Sequence, residues 1–348
     1  ILGYEVMLRV FNNISVEGMA SAVPSAVEKN DEASVILGER RCKKQIKLTG
    51  IYERRVSLPE QKISDLCYIA SKKLIEHLDW DIKDIKILVL LTQHPNFMIP
   101  STAFYIQKLL GMSDDSIVFD VNMGCSAFNI GLDIVSGLLQ QFPDGSKALC
   151  MQGDLAYKII KEDLPPDDMA SMMLFGSGTS VFALQKKKNV SEVCCQSYSY
   201  GSKYDAIIRA HGDCIHMDGT EVYNFSTNYV VDKIKSFKES MKIDDSDIDY
   251  YAFHQAQKLI LDSIRIDLGI LDTKELRSLD KYGNTSGASI PISVCANKGR
   301  FVAKDSINLL TCGFGVGLSC SIGYFKIATS NILPVIYTDY VHEEIRNW

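Results

Sequence analysis

The sequence has no excess of basic residues, no CxxC pair and no long apolar run without glycine, and each absence excludes a class of protein. The formal net charge is -6 over 348 residues, whereas nucleic-acid-binding domains usually present a basic face. Zinc-type spacing of Cys and His is also missing, so we expect no metal site and no nucleic-acid partner. Hydrophobic residues make up 46% and charged residues 23%, the balance of an ordinary globular protein.

The stretch 306–325 carries no charge and is long enough to cross a bilayer. Glycines interrupt it, so the sequence predicts two short buried strands joined by a glycine turn instead of a membrane helix. The first ten residues lack the apolar core and cleavage site of a signal peptide. The 10 scattered cysteines form no disulfide framework and favour a reducing compartment. We therefore expect a cytoplasmic protein without a membrane partner.

An internal repeat organises the chain. In the first half a helical pattern leads into DIKDIKILVLLTQH (81–94), and in the second half a similar pattern leads into DDSDIDYYAFHQA (244–256). Each apolar run predicts a buried strand, and each is followed by a helix that ends at Leu-Gly. Phe-Gly-x-Gly then recurs at 175–178 and 314–317. Two unrelated α/β stretches that share common turn residues are the alternative.

The repeat predicts an α/β protein built from two similar halves, each with a sheet between helices. We expect the N-terminal half to span 1–184, the C-terminal half to span 185–329, and a C-terminal extension of unknown role to span 330–348. A pseudo-twofold axis between the halves would bring matching loops together. Such loops carry Cys125 in one half and Asn284 in the other.

Cys125 stands where a predicted strand ends and a predicted helix begins, within Asn-Met-Gly-Cys-Ser-Ala-Phe. A thiol at a helix N-terminus feels the positive end of the helix dipole, which favours the thiolate, the species that attacks thioesters. An arbitrary cysteine is more often a small buried core residue. The preceding glycine and the strand-to-helix turn favour a nucleophile here, and the other cysteines lack this setting.

His254 and Asn284 are the other candidate catalytic residues. His254 ends the apolar run 250–253 and could take the thiol proton or donate to a thioester oxygen. A histidine bonded to a carbonyl at a strand end is the alternative. Asn284 lies in Tyr-Gly-Asn-Thr-Ser-Gly, which is also turn chemistry, yet its amide could donate to an oxyanion. The repeat places Asn284 opposite Cys125 and favours the catalytic interpretation.

The two Phe-Gly-x-Gly stretches have different interpretations. Glycines in 314–317 would let main-chain N–H groups approach a ligand closely. One of these groups, together with the amide of Cys125, would form an oxyanion hole. Residues 175–178 are interpreted as a plain tight hairpin.

These residues resemble the catalytic triad of the ketoacyl-acyl-carrier-protein synthase III family, within the thiolase-like superfamily. The matching motifs are Gly-Cys-Ser-Ala-Phe at Cys125, His-Gln-Ala at His254 and Tyr-Gly-Asn-Thr-Ser-Gly-Ala-Ser-Ile-Pro at Asn284. Further stretches resemble other signatures of that family: Thr49–Arg55, Met217–Gly219 and 313–317. The resemblance implies a homodimer with a duplicated thiolase-like fold in five layers, αβαβα.

By that resemblance, Cys125 accepts an acyl group from a thioester. His254 and Asn284 then hold the oxygen of a decarboxylating malonyl thioester while its carbanion attacks the acyl-Cys. By the same resemblance, the main-chain N–H groups of Cys125 and Val316 form the oxyanion hole. Ile99 reaches into the acyl pocket of the partner subunit. The resemblance implies no cofactor, only acyl-coenzyme A or acyl-carrier-protein thioesters as substrates.

The chain departs from the family where coenzyme A is held. Lys44 and Leu48 stand in place of the Trp and Arg that grip its head group, and Leu259 replaces a third basic contact. A carrier-protein donor is therefore an alternative, because carrier proteins are acidic and a basic patch could dock one. A solvated loop is the commoner role of such a charge run. The candidate docking patch comprises Arg40, Arg41, Lys43, Lys44 and Lys258.

Two other functions remain open. An acyl-Cys transferase could hand its acyl group to an oxygen or nitrogen nucleophile using Cys125 and His254, without decarboxylating malonyl thioesters. A non-catalytic partner subunit of a ketosynthase heterodimer would typically lack the nucleophile, whereas this chain has all three triad residues. The sequence specifies neither the acyl chain nor the pathway.

Overall fold

The computed structural model describes residues 8–157, 173–209 and 215–343. The first residues of the predicted N-terminal half, 1–7, and the last residues of the predicted extension, 344–348, lie outside the described residues.

The strands of the described part are β1 (Arg9–Phe11), β2 (Ile14–Pro24), β3 (Val27–Lys29), β4 (Glu53–Arg55), β5 (Ile85–Leu91), β6 (Ile117–Val121), β7 (Lys147–Asp154), β8 (Gly178–Lys186), β9 (Val193–Ser199), β10 (Ile207–Ile208), β11 (His216–Met217), β12 (Tyr250–Phe253), β13 (Glu275–Leu276), β14 (Ser306–Gly315), β15 (Ser319–Ala328) and β16 (Ile336–Thr338). The α-helices described are α1 (Ser34–Leu37), α2 (Glu39–Thr49), α3 (Ile63–His77), α4 (Thr102–Leu110), α5 (Ala127–Leu139), α6 (Gly219–Asn224), α7 (Val230–Met241), α8 (Lys258–Asp267), α9 (Leu279–Tyr282) and α10 (Ser289–Ala296).

Two large sheets repeat one arrangement. The first has the strand order β16-β2-β8-β7-β5-β6, and the second has the order β1-β9-β15-β14-β12-β13. In both sheets the second, third and fourth strands pair antiparallel, whereas the fourth, fifth and sixth pair parallel. The strands that the sequence repeat makes equivalent, β5 and β12, therefore occupy the same place in their sheets.

Helices form three layers around these sheets. α5 and α10 lie between the two sheets and contact strands of both. α3 and α4 pack on the first sheet, and α7 and α8 share an apolar core with β14 and β15 on the other face of the second. The layer order is helix, sheet, helix, sheet, helix, which confirms the predicted five-layered α/β fold.

The central helix α5 joins the two sheets through one aromatic side chain. The ring of Phe128 lies 4.9 Å from that of Phe182 on β8 and 5.9 Å from that of Phe325 on β15, measured between centroids. All three side chains are buried, and such aromatic contacts contribute beyond the apolar area that they bury. This packing holds the start of α5, and with it Cys125, between the halves.

The charge-free stretch 306–325 forms the antiparallel pair β14 and β15, in register from Ser306 with Ala328 to Gly315 with Ser319. The prediction of two buried strands joined by a glycine turn is confirmed. Within the described ranges, no helix has both the length and the apolar character needed to cross a membrane.

The connection between β8 and β9 is where we propose that the two halves meet. β8 ends at Lys186 and β9 begins at Val193, so the proposed junction comprises 187–192. The C-terminal extension returns to the first half, because the Leu333 N–H donates to the Met19 carbonyl oxygen at 2.9 Å and β16 pairs parallel with β2. It occupies the place on the first sheet that β1 occupies on the second.

Candidate active site

Cys125 lies in the turn between β6 and α5. This turn rests on the β14–β15 pair: a Cβ on Gly313 would lie 2.8 Å from the Cys125 carbonyl oxygen, and Ser321 Oγ donates to the Ser126 carbonyl oxygen at 2.9 Å. So close a backbone approach requires glycine at that position. The second half of the chain thus sets the position of a thiol that the first half supplies.

The environment of Cys125 keeps its thiol protonated at neutral pH. Burial is the largest influence and raises the pKa of Cys125 to about 11; the main-chain N–H of Val316 lowers it, and the charge of Asp154 raises it. The helix terminus does not offset this effect, because the cost of burying the charged form is larger. A base must remove the proton when the sulfur attacks.

His254 directly follows β12, and its main-chain N–H donates to the Cys312 carbonyl oxygen at 2.9 Å. The buried imidazole meets the Phe314 ring edge-to-face, with centroids 5.5 Å apart, and its Nδ1 lies 2.8 Å from Ser289 Oγ. Burial lowers the pKa of His254 to about 4, and a main-chain hydrogen bond with Ser286 opposes this shift. The imidazole is neutral at physiological pH, so one ring nitrogen can accept a proton while the other donates a hydrogen bond.

Asn284 is held on both sides of its backbone. Its N–H donates to the Leu174 carbonyl oxygen at 2.8 Å, and its carbonyl oxygen accepts from the Gly176 N–H at 3.0 Å. The Ser286 N–H donates to the side-chain Oδ1 at 2.9 Å. With Oδ1 engaged in this way, Nδ2 is the end of the amide that can donate to a ligand.

The interpretation of residues 175–178 as a tight hairpin is wrong. β7 ends at Asp154 and β8 begins only at Gly178, and Phe175 forms a parallel bridge with Asn284 instead of pairing within a turn. A Cβ on Gly176 would lie 2.0 Å from the Tyr282 carbonyl oxygen. Glycine is needed there because the two halves of the chain meet backbone to backbone.

The loop that follows Asn284 packs directly on the turn that carries Cys125. A Cβ on Gly287 would lie 2.7 Å from Ala127 Cβ and 3.1 Å from the Gly124 carbonyl oxygen. His254 contacts the main chain of the same loop. These contacts bring all three candidate catalytic residues to one place, at the ends of β6 and β12.

The glycine loop after β14 closes over the thiol. Gly315 has a φ of +147°, and a Cβ there would lie 2.7 Å from Cys125 Sγ. The main-chain N–H groups of Val316 and Cys125 both act on the sulfur. Two N–H donors that converge beside the sulfur are what an acyl-enzyme carbonyl oxygen would need for stabilisation. The structure thus brings together both residues predicted for the oxyanion hole.

Ile99 lies apart from this cluster on the surface of the single chain. Ile99 and Met98 are 89% and 90% exposed, in the segment between β5 and α4. A cavity of about 250 Å³ opens beside them, and its lining includes Phe97 and Asp120. Adjacent apolar side chains that are this exposed can contribute to an interface with another chain.

The docking patch lies on two neighbouring helices, not on a loop. Its first four residues belong to α2 and are exposed. Lys258 begins α8, and a Cβ on Gly50 at the end of α2 would lie 2.7 Å from Lys258 Cβ. Leu48 and Leu259, for which the sequence predicted the loss of coenzyme A contacts, are partly exposed on the same two helices.

Sequence reasoning missed a polar cluster beside the Cys125 turn. The buried carboxylate of Asp154 accepts from the Gln93 N–H at 2.7 Å and lies 3.0 Å from His94 Nδ1. A Cβ on Gly124 would lie 2.7 Å from Gln93 Oε1. The sequence did contain one signal for this cluster: His94 follows the apolar run of β5, as His254 follows the equivalent strand β12. In the part of the chain that the structure describes, no group of three or more His, Cys, Asp or Glu side chains could hold a metal.

Alkylation of Cys125 by iodoacetamide should speed up continuously with pH. Because the pKa of Cys125 is raised to about 11 and only the thiolate reacts, the rate should rise about tenfold per pH unit from pH 7 to 10, with no plateau near pH 8.5. Mass spectrometry of the Cys125 peptide would follow the reaction. A rate that levels off below pH 9 would contradict the assignment and indicate a stabilised thiolate.

Two family models match this chain. Residues 119–201 match "3-Oxoacyl-[acyl-carrier-protein (ACP)] synthase III", and residues 239–327 match "3-Oxoacyl-[acyl-carrier-protein (ACP)] synthase III C terminal". The first match contains Cys125, and the second contains His254, Asn284 and Val316.

Similar proteins carry related names. A beta-ketoacyl-[acyl-carrier-protein] synthase III of Clostridium perfringens is 31% identical over 294 residues, which cover 80% of this chain and 89% of that protein. One from Clostridium botulinum is 31% identical over 325 residues, covering 88% and 97%. The crystal structure of a 3-oxoacyl-(acyl-carrier protein) synthase from Burkholderia xenovorans LB400 matches with a TM-score of 0.89 at 26% identity, over 96% of this chain and 99% of that chain.

Proposed function

The chain belongs to the 3-oxoacyl-[acyl-carrier-protein] synthase III family, and from this premise we propose that Cys125 carries the acyl group in a decarboxylative condensation. As a member of this family the chain is an acyltransferase and a condensing enzyme. The observation that supports the proposal most is the convergence of the main-chain N–H groups of Val316 and Cys125 on the Cys125 sulfur. A thiol with these donors and a neutral histidine nearby is suited to thioester exchange.

In the first step the Cys125 sulfur attacks the carbonyl carbon of an acyl thioester. The thiol proton passes to His254, whose low pKa leaves the imidazole unprotonated and able to accept it. The two main-chain N–H groups bind the oxyanion of the tetrahedral intermediate. Collapse of the intermediate breaks the carbon–sulfur bond of the donor, and the departing thiolate takes up the proton. The products are acyl-Cys125 and a free thiol.

In the second step a malonyl thioester loses carbon dioxide, and its electron pair becomes a new carbon–carbon bond to the acyl carbonyl carbon. The enolate oxygen formed on the way needs donors, and His254 and Asn284 would supply them. Ser289 Oγ lies 2.8 Å from His254 Nδ1 and can either accept from it or donate to it. It accepts from Nδ1 when Nε2 takes the thiol proton, and it donates to Nδ1 in the condensation step, when Nε2 carries the proton. Asn284 donates from Nδ2, because its Oδ1 already accepts from Ser286. The Cys125 thiolate then leaves and is reprotonated.

We propose an acyl-carrier protein as a partner and the docking patch as its landing surface. The relatives are named as acyl-carrier-protein synthases. Carrier proteins are acidic, whereas this chain offers basic side chains on α2 and at the start of α8, within an otherwise acidic protein of net charge -6. Opposite charges steer such encounters and raise association rates. The acyl donor would then be carrier-bound or coenzyme A-bound, and the malonyl substrate carrier-bound.

Reversing one charge of the docking patch should weaken use of the carrier protein. We expect Lys44→Glu to raise the KM for malonyl-acyl-carrier protein about three- to tenfold at low salt, with kcat almost unchanged, because a rim charge acts mainly on encounter. Lys188→Glu, which changes an exposed lysine paired with Asp144, is the matched control. An equal rise in KM for both variants, or none for Lys44→Glu, would contradict the docking patch.

We propose that the enzyme is a homodimer in which Ile99 enters the acyl pocket of the partner subunit. The adjacent side chains of Met98 and Ile99 are almost fully exposed in the single chain, and β6 forms an unpaired edge of the first sheet within the described residues. An exposed edge with apolar neighbours invites pairing with another copy. Sedimentation of a monomer at micromolar concentration would rule this out.

The decisive experiment combines acyl donors with malonyl-acyl-carrier protein and measures three products. We expect an acyl-enzyme adduct by intact-protein mass spectrometry, release of one carbon dioxide per turnover, and a 3-oxoacyl-carrier protein. An adduct without carbon dioxide release would support acyl transfer to an oxygen or nitrogen nucleophile. Folded protein that forms no adduct with any coenzyme A or carrier-protein donor would support the partner-subunit alternative.

A further inference from the structure

A fully buried arginine lies next to the Asn284 loop. Arg54 is 0% exposed. Its guanidinium donates to Asn30 Oδ1 at 2.9 Å, to the Phe175 carbonyl oxygen at 2.8 Å and to the carboxylate of Glu28. Buried charges are expensive and persist when they are paired and fully hydrogen-bonded. Arg54, Glu28 and Asn30 are called the Arg54 cluster below.

The Arg54 cluster binds one side of the segment 173–176. Asn30 Nδ2 donates to the Met173 carbonyl oxygen at 3.1 Å, and Arg54 donates to the Phe175 carbonyl oxygen, two residues further on. The cluster therefore holds the segment at two points.

The other side of that segment holds Asn284. The Leu174 carbonyl oxygen accepts from the Asn284 N–H, and the Gly176 N–H donates to the Asn284 carbonyl oxygen. The cluster also touches the loop directly, since a Cβ on Gly283 would lie 3.0 Å from Arg54 Cγ. The backbone of Asn284 is thus linked to the Arg54 cluster through the intervening segment 173–176.

We propose that the Arg54 cluster is a positioning device for Asn284, so that Arg54 and Glu28 determine the rate of condensation without touching the substrate. The inference deepens the proposed function and rests on its assignment of Asn284 to the condensation step. A planar guanidinium can bond three acceptors in fixed directions, whereas an ammonium cannot reproduce this fork. A small displacement of Asn284 Nδ2 would weaken its hydrogen bond to the developing enolate.

The oxyanion donors of the acylation step are held by a different part of the structure. These donors belong to Cys125 and Val316, and the loop of Val316 follows β14, which pairs with β12 and β15. Arg54 donates hydrogen bonds to Glu28, Asn30 and Phe175, none of which lies on these strands. Loss of the cluster's geometry should therefore slow condensation much more than acylation.

The test uses single-turnover kinetics on full-length protein. Arg54→Lys keeps the charge but loses the fork, and Glu28→Gln keeps the shape of its partner but loses the charge. Glu275→Gln is the matched control, because Glu275 is another buried carboxylate, held by Arg277 at 2.7 Å on the edge strand β13. Condensation is measured from preformed acyl-enzyme and expressed per mole of acyl-enzyme, so that unfolded protein does not count.

For Arg54→Lys we expect a condensation rate constant lower by about tenfold or more, and an acylation rate constant within about twofold of the unmodified enzyme. Glu28→Gln should lower the ratio of the condensation rate constant to the acylation rate constant by about threefold. Glu275→Gln should leave the ratio unchanged. An equal fall in both half-reactions, or an unchanged ratio in both cluster variants, would overturn the positioning role.

Asn284→Ala separates this inference from the proposed function. If Asn284→Ala acylates normally but condenses slowly while the cluster variants keep a normal ratio, only the positioning role is overturned. If Asn284→Ala condenses at the normal rate, the assigned role of Asn284 is overturned, and the positioning inference with it. Support for both requires that Asn284→Ala and Arg54→Lys lose condensation selectively.

Discussion

Replacement of Cys125 by alanine is expected to abolish the acyl-enzyme and lower overall condensation by about 10⁴-fold or more, because removal of a covalent nucleophile leaves only binding and oxyanion stabilisation. Intact-protein mass spectrometry after incubation with an acyl thioester should show one acyl adduct on the unmodified chain and none on Cys125→Ala. The fold should survive, since the thiol contributes little volume to the turn before α5.

Cys67→Ala is the matched control for that experiment. Cys67 is fully buried on α3, and burial raises the pKa of its thiol far above the ordinary value. It should form no adduct, and its loss should leave the acyl adduct on Cys125 intact. An adduct that persists in Cys125→Ala would assign the acyl group to another residue and refute the proposed nucleophile.

The candidate catalytic residues could be predicted because each lies in a local motif. Cys125 follows a strand and precedes a helix, and His254 ends an apolar run, so strand periodicity alone marks their places. Asn284 needed the internal repeat, since its own neighbours are ordinary turn residues. The structure confirms the fold that the repeat implied, with equivalent strands in equivalent positions.

The features that escaped prediction depend on contacts between distant parts of the chain. Arg54 lies in a motif that the sequence marked, but its partners are 26 and 121 residues away, and periodicity does not report such pairs. Phe175 was assigned to a hairpin because Phe-Gly-x-Gly is turn-like, whereas its partner is in the other half. The raised pKa of Cys125 could not be predicted, because it follows from burial, which is a property of the folded chain.

The position of the C-terminal extension also depends on contacts with a distant part of the chain, which the sequence did not predict. β16 is a three-residue strand, Ile336–Thr338, too short for a reliable alternation signal, and its partner β2 lies near the other end of the chain. Gln61 Nε2 donates to the carbonyl oxygens of Thr338 and Tyr340, which fixes the extension further. Its position covers what would otherwise be the open edge of β2, and open edges favour aggregation.

Gly315→Ala is expected to have the second large effect, because the new Cβ would occupy the space of the thiol. That Cβ would lie 2.7 Å from Cys125 Sγ and 2.8 Å from Cys125 Cβ, so either the sulfur or the loop of Val316 must move. Displaced oxyanion donors should slow acylation by about 10²–10³-fold. The φ of +147° at this position also strains the backbone of an alanine, which should lower the free energy of unfolding by about 1–3 kcal/mol.

Gly145→Ala separates the strain from the collision. Gly145 also has a positive φ, +91°, but a Cβ there would meet nothing within 4 Å. This variant should lose stability of a similar order through strain and still acylate at the normal rate. Urea denaturation and single-turnover acylation of both variants make the comparison. Normal acylation by folded Gly315→Ala would mean that the loop does not confine the thiol, and the oxyanion hole would have to be placed elsewhere.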